Sequence, residues 1–101
     1  MLEQPAIKAL EAIAITLVGT GRYQTQAEAI RAIALEQINR KISAYDRRVK
    51  QFERKHRTNF EAFGKRIRNR ATVRQEDVWM EWEAAIAMRE AWRKAKKAIE
   101  N

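Results

Sequence analysis

Cysteine is absent from this 101-residue chain, which removes disulfides and thiolate metal ligands from any account of it. One proline and three glycines leave few places for the backbone to break, so long helices are favoured over many short strands. Histidine and serine occur once each, as His56 and Ser43. Ser43 falls within a helical pattern with no base nearby. His56 closes an apolar seam between Lys55 and Arg57, the position of a half-buried helix-end residue. Without cysteine, zinc needs several carboxylates spaced around that one imidazole, and no such spacing is present. No glycine-rich phosphate loop occurs either. The expectation is a protein without catalytic residues, cofactor, metal or evident small-molecule substrate.

Long apolar runs are also missing. Ala6 to Val18 comes nearest, but Lys8 and Glu11 interrupt it and Glu3 precedes it. A secretory signal has a basic start and an unbroken apolar core, and a membrane helix needs about 18 consecutive apolar residues. The chain reads as cytoplasmic, with no membrane partner.

What is present is positive charge, unevenly placed. The net charge is +8, yet residues 1–40 net zero, residues 41–75 carry twelve Lys/Arg against three acids, and residues 76–101 net −1. Such a block matches nucleic acid, an acidic protein surface, or simply a solvated face. Its candidate phosphate-binding residues are Arg47, Arg48, Lys50, Arg54, Lys65, Arg66, Arg68, Arg70 and Arg74. Arginine predominates, which suits bidentate contact with phosphate or carboxylate. Cations near helix C-termini are also favoured by the helix dipole, and that accounts for part of the block.

With 46% hydrophobic residues the chain is not disordered by composition. At this length it forms one domain that buries roughly 65% of its unfolded surface. Three capping boxes divide it: Thr25/Glu28, Thr58/Glu61 and Thr72/Gln75. With Pro5 at a first-turn position, these predict an all-α fold of four helices, about 5–18, 26–57, 59–69 and 73–100. Gly19 and Gly21 supply backbone freedom where the first helix ends.

Leu35, Ile38, Ile42, Tyr45, Val49, Phe52 and His56 follow three-four spacing, a seam for helix-on-helix packing. Val78, Trp82, Ala85, Trp92 and Ile99 give the last helix a matching face, interrupted by Arg89 and Lys96. The arrangement expected is a long antiparallel hairpin of the second and fourth helices, with the third at the bend. Residues 41–101 would form this basic, partner-binding part.

The first helix is apolar over more than half its circumference, which calls for cover on more than one side. A second copy of the chain is the expected cover. The homodimer would be centred on residues 1–40 through Leu10, Ile13, Leu17, Tyr23, Ile30 and Ile33. Trp79, Trp82 and Trp92 read either as core or as a partner-facing patch, with Trp79 off the seam. Glu76, Glu83 and Glu90 share one face at heptad spacing, either paired with the basic third helix or offered to a basic partner. Trp79, Glu83 and Trp92 are the candidate partner-binding residues.

The run Gly21-Arg22-Tyr23, Thr25, Glu28, Ile30-Arg31, preceded by Leu17 and Val18, resembles the helix junction of small ribbon-helix-helix antitoxins and repressors. A second likeness, to small antitoxin-like proteins encoded beside ribonuclease-type toxins, runs through Phe52-Glu53-Arg54-Lys55, Asn59-Phe60-Glu61-Ala62-Phe63, Glu76-Asp77 and Trp79 to Trp82. The resemblance implies a dimeric antitoxin that neutralises a cognate toxin and binds operator DNA. Met1 to Gln4 leaves no room for the family's DNA-reading strand, so the resemblance assigns no base-reading residue here.

Overall fold

The structure, a computed structural model describing residues 3–100, contains four α-helices and, among the described residues, no strand. They are α1 (Gln4–Gly19), α2 (Gln26–His56), α3 (Phe60–Ile67) and α4 (Val73–Glu100). None is long and apolar enough to cross a membrane, among the described residues. Met1 and Leu2 lie outside the described residues, so the expectation of no strand at Met1 to Gln4 is tested only at its end. Glu3 is already the extended N-cap of α1, and Pro5 sits in its first turn.

Local chemistry sets the helix ends. α1 stops in a Schellman motif: Arg22 N–H donates to Leu17 O at 3.1 Å, and Gly21 N–H to Val18 O at 2.9 Å. Gly21 makes this possible with φ +79, whereas Gly19 is simply the last helical residue. At the start of α2 the Glu28 N–H donates to Thr25 Oγ1 at 3.1 Å. The return bond differs from the expected box, because the Glu28 carboxylate accepts from Gln24 N–H at 3.3 Å instead of from Thr25. The Thr72/Gln75 box forms in full, with 3.1 and 2.9 Å bonds in the two directions.

The Thr58/Glu61 box does not form. Asn59 caps α3, its Oδ1 accepting from Ala62 N–H at 2.8 Å. Thr58 is already committed to the end of α2, where its N–H donates to Glu53 O at 3.2 Å around Arg57 at φ 53. That 6→1 bond is again the Schellman pattern, now with a non-glycine in the left-handed position. α3 is shorter than the expected 59–69, because Arg68 leaves the helical region with ψ 128 and Asn69 follows at φ 65.

The chain divides into two units, one ending at Gln37 and the other beginning at Ile38. In the first, Ala14 of α1 and Ala29 of α2 are fully buried, so small side chains form its interior. Leu10, Leu17, Tyr23, Ile30 and Ile33 are half-buried, while Ile13 and Ile15 remain 51% and 55% exposed. This is the apolar excess read from the sequence; the structure holds one chain.

The second unit is built around Trp82, which has no exposed surface. The rings of Phe52, His56, Phe60 and Phe63 surround it with centroids 5.4–5.8 Å away, Phe52 nearly parallel at 13°. Aromatic pairs of this kind contribute about 0.5–1.5 kcal/mol each beyond the area they bury. The C-terminal half of α2 and α4 run antiparallel: Asp46 meets Arg89 while Phe52 meets Trp82. α3 packs on α4 at the bend. Both seams carry buried residues as their spacing predicts, Ile38 and Val49 on α2 and Trp82 and Ala85 on α4.

Candidate nucleic-acid interface

The apparent break in the α4 seam at Arg89 is filled by a charge from α2. Arg89 Nη1 donates to Asp46 Oδ1 at 3.0 Å, and Lys50 Nζ donates to Asp46 Oδ2 at 3.0 Å. The Lys50 hydrogen bond, then that of Arg89, holds the Asp46 carboxyl below its ordinary 3.8. Arg89 is only 18% exposed, so its stem completes the seam while its head reaches Asp46.

On α2, Arg47, Lys50 and Arg54 recur at three-four spacing on the side away from the Tyr45–His56 seam, with Arg48 and Lys55 flanking. All five are exposed. Arg48 lies over the Phe52 ring at 5.4 Å and reaches Glu81 at 3.5 Å. Lys65 pairs with Glu61 at 3.7 Å along its own helix. Arg47, Arg54, Lys55 and Arg57 on α2 and its cap are exposed and without an ion pair among the described residues. So are Arg66, Arg68, Arg70 and Arg74 beyond it. The predicted basic residues are therefore all solvent-facing, and only Arg48, Lys50 and Lys65 are engaged by neighbours.

His56 holds the boundary between this charge and the aromatic core. Its ring packs against Phe63 at 5.0 Å and Trp82 at 5.8 Å, and its Nε2 is buried with no hydrogen-bond partner. Burial lowers its pKa from the ordinary 6.5, and the charges of Lys55 and Arg66 lower it further. A neutral imidazole walled by rings is a core side chain. The Trp82 Nε1 is likewise buried without a partner, which nothing in the fold explains.

Between α3 and α4 lies a groove of about 630 Å³. Phe60, Gly64, Ile67, Ala71, Trp79 and Met80 form its apolar walls, with Glu61, Lys65, Arg68 and Glu76 among the lining. Trp79 is half-buried, tilted against Phe60 at 5.4 Å, with Nε1 where a Cβ on Gly64 would meet it at 3.2 Å. Trp79 is thus neither in the aromatic box nor free of it. Met80, one residue on, is 62% exposed.

The predicted partner-binding trio is not one patch. Glu83 is exposed one turn beyond Trp79, but Trp92 is half-buried on the seam, 13 residues along the helix and so about 20 Å away. The acidic line does not pair with α3. Glu76 and Glu83 have no ion pair among the described residues, and Glu90 holds Arg93 at 2.6 Å within its own helix. Phe60, Gly64 and Met80 are functional candidates that periodicity did not single out. Phe60 stood only within the Asn59 to Phe63 likeness, and the remaining sequence signals are a glycine inside a short helix and a methionine off the seam.

No family model matches this chain, and neither does any curated protein or solved structure.

Proposed function

We propose that this is a non-enzymatic, cytoplasmic nucleic-acid-binding protein that holds the phosphate backbone on the basic surface of its second unit. The observation that carries this reading is the set of exposed, unpaired cations running from Arg47 on α2 to Arg74 on α4. Unpaired like charges repel one another in the folded state, and a polyanion relieves that repulsion on binding. Contacts to phosphate supply affinity without sequence readout. The test is fluorescence anisotropy with labelled DNA across a salt series. Binding that weakens linearly in log–log form as salt rises supports the reading, with a shallower slope after Arg66, Arg68 and Arg70 are replaced by alanine. No binding at about 50 mM salt overturns it.

A second reading is an antitoxin-like homodimer that neutralises a cognate toxin. It is supported by the Gly21 turn and Thr25 cap, which fall in the register of the ribbon-helix-helix junction, and by the exposure of Ile13 and Ile15, which suits a dimer through α1. Glu83 and Trp79 would meet the toxin. Under this reading, pull-down from the native operon context recovers a small protein in stoichiometric amount, and light scattering at micromolar concentration gives a dimer. A monomer with no such protein rejects it.

A further inference from the structure

The groove between α3 and α4 has an unusual pairing of neighbours. Its floor is aromatic and aliphatic, yet Arg68, which has no ion pair among the described residues, lines it, and the exposed Arg66, Arg70 and Arg74 lie within six residues of Arg68 along the chain. A phosphate has no place on the floor itself, because Glu76 stands there without an ion pair and the walls are apolar. A planar heterocycle does: Trp79 presents a ring supported from behind by Phe60, and Gly64 removes the side chain that would crowd the indole edge. Aromatic platforms flanked by cations are how proteins hold unpaired strands.

We propose that this groove takes one unpaired base of a single-stranded nucleic acid. The base stacks on Trp79, its amino edge faces Glu76, and Arg68 and the neighbouring arginines hold the phosphates on either side. This deepens the phosphate-binding reading and rests on it. Glu76 lies three residues before Trp79, on the same stretch of α4 surface. A carboxylate only accepts hydrogen bonds, so where it meets the edge position that is an exocyclic amine in cytosine and a carbonyl oxygen in thymine or uracil, it favours cytosine.

The experiment compares three labelled twelve-nucleotide strands of equal charge at about 50 mM salt: oligo-dC, oligo-dT and an abasic strand. Oligo-dC is expected to bind about tenfold more tightly than the abasic strand, the worth of one stacked base, with oligo-dT between them. Oligo-dC also quenches tryptophan emission, and the quenching disappears in Trp79→Leu, which leaves Trp82 and Trp92 in place. Because Trp79→Leu touches the edge of the core, Glu76→Gln gives an independent reading from an exposed position: the dC-over-dT ratio falls to about one while helicity is unchanged.

Equal binding of the abasic strand and oligo-dC overturns the base pocket and leaves the phosphate reading standing. Failure of all three strands to bind overturns the phosphate reading itself. Trp79 quenching by an acidic amphipathic peptide, with no discrimination between the strands, assigns the groove to a protein partner and overturns the proposal.

Discussion

The two units of this chain solve the same problem with opposite materials. The second buries one large ring, Trp82, inside four others and draws α2, α3 and α4 around it. The first buries alanines, Ala14 and Ala29, and leaves Ile13 and Ile15 half in water. Small residues allow close helix approach but remove little apolar surface, and hydrophobic stabilisation scales with the area removed. The second unit therefore holds most of its own stability, whereas the first leaves apolar surface of α1 exposed to water. Charge follows the same division, since the surplus cations stand on the unit whose core can tolerate their repulsion.

The comparison breaks first at Trp82. Trp82→Ala empties the aromatic box and is expected to cost about 3–5 kcal/mol in denaturant unfolding. A loss below 1 kcal/mol would mean the second unit is not organised around this ring.

Next in size is Ala14→Leu in the first unit. With no exposed surface at Ala14, added methylenes have nowhere to go, and a loss of about 1–3 kcal/mol is expected. Unchanged stability would show the alanine interior to be loose.

A smaller effect comes from pH. His56 has a lowered folded pKa, so the unfolded chain binds its proton first. Stability is then full above pH 6.5 and falls as pH drops below that value. His56→Phe should flatten this part of the profile. The further fall below pH 3.8 stays, because the Asp46 pKa is also lowered and its pairing with Lys50 and Arg89 is lost on protonation. A stability profile unchanged by His56→Phe between pH 7 and pH 5 would contradict this assignment.

The smallest is a gain. Arg57 sits at φ 53, a conformation that costs a side-chain-bearing residue about 1 kcal/mol, so Arg57→Gly should stabilise by up to about that amount. A loss on thermal unfolding would mean the Arg57 side chain does something the fold does not display.

The helices were legible because their signals are local. Thr25 and Thr72 cap where they stand, and the α2 and α4 seams carry their own spacing. Local signals mislead where two motifs compete for adjacent residues. Thr58 serves the end of α2, so the start of α3 falls to Asn59. Long-range partners leave no local trace. Arg89 looks like a seam defect until the antiparallel register places Asp46, 43 residues earlier, against it.

The same limit explains the site. Basic residues could be counted in the sequence, and the exposure of Arg47, Lys50 and Arg54 follows from lying opposite the α2 seam. The groove depends on how α3 lies on α4, so Phe60, Gly64 and Met80 carried no periodic signal. The acidic line at Glu76 and Glu83 was ambiguous for a related reason. Whether it pairs internally depends on which way α3 turns its cations, and Lys65 turns to Glu61.

The central claim is that the second unit is a phosphate-binding surface, and the salt dependence of DNA affinity tests it most directly. Anisotropy titrations with a random-sequence strand between about 50 and 200 mM salt should give a log–log slope of several units, near −0.7 per single-strand phosphate contacted. Replacing Arg66, Arg68 and Arg70 by alanine should lower the slope by about two. A slope near zero, or a slope unchanged by those replacements, would contradict the account.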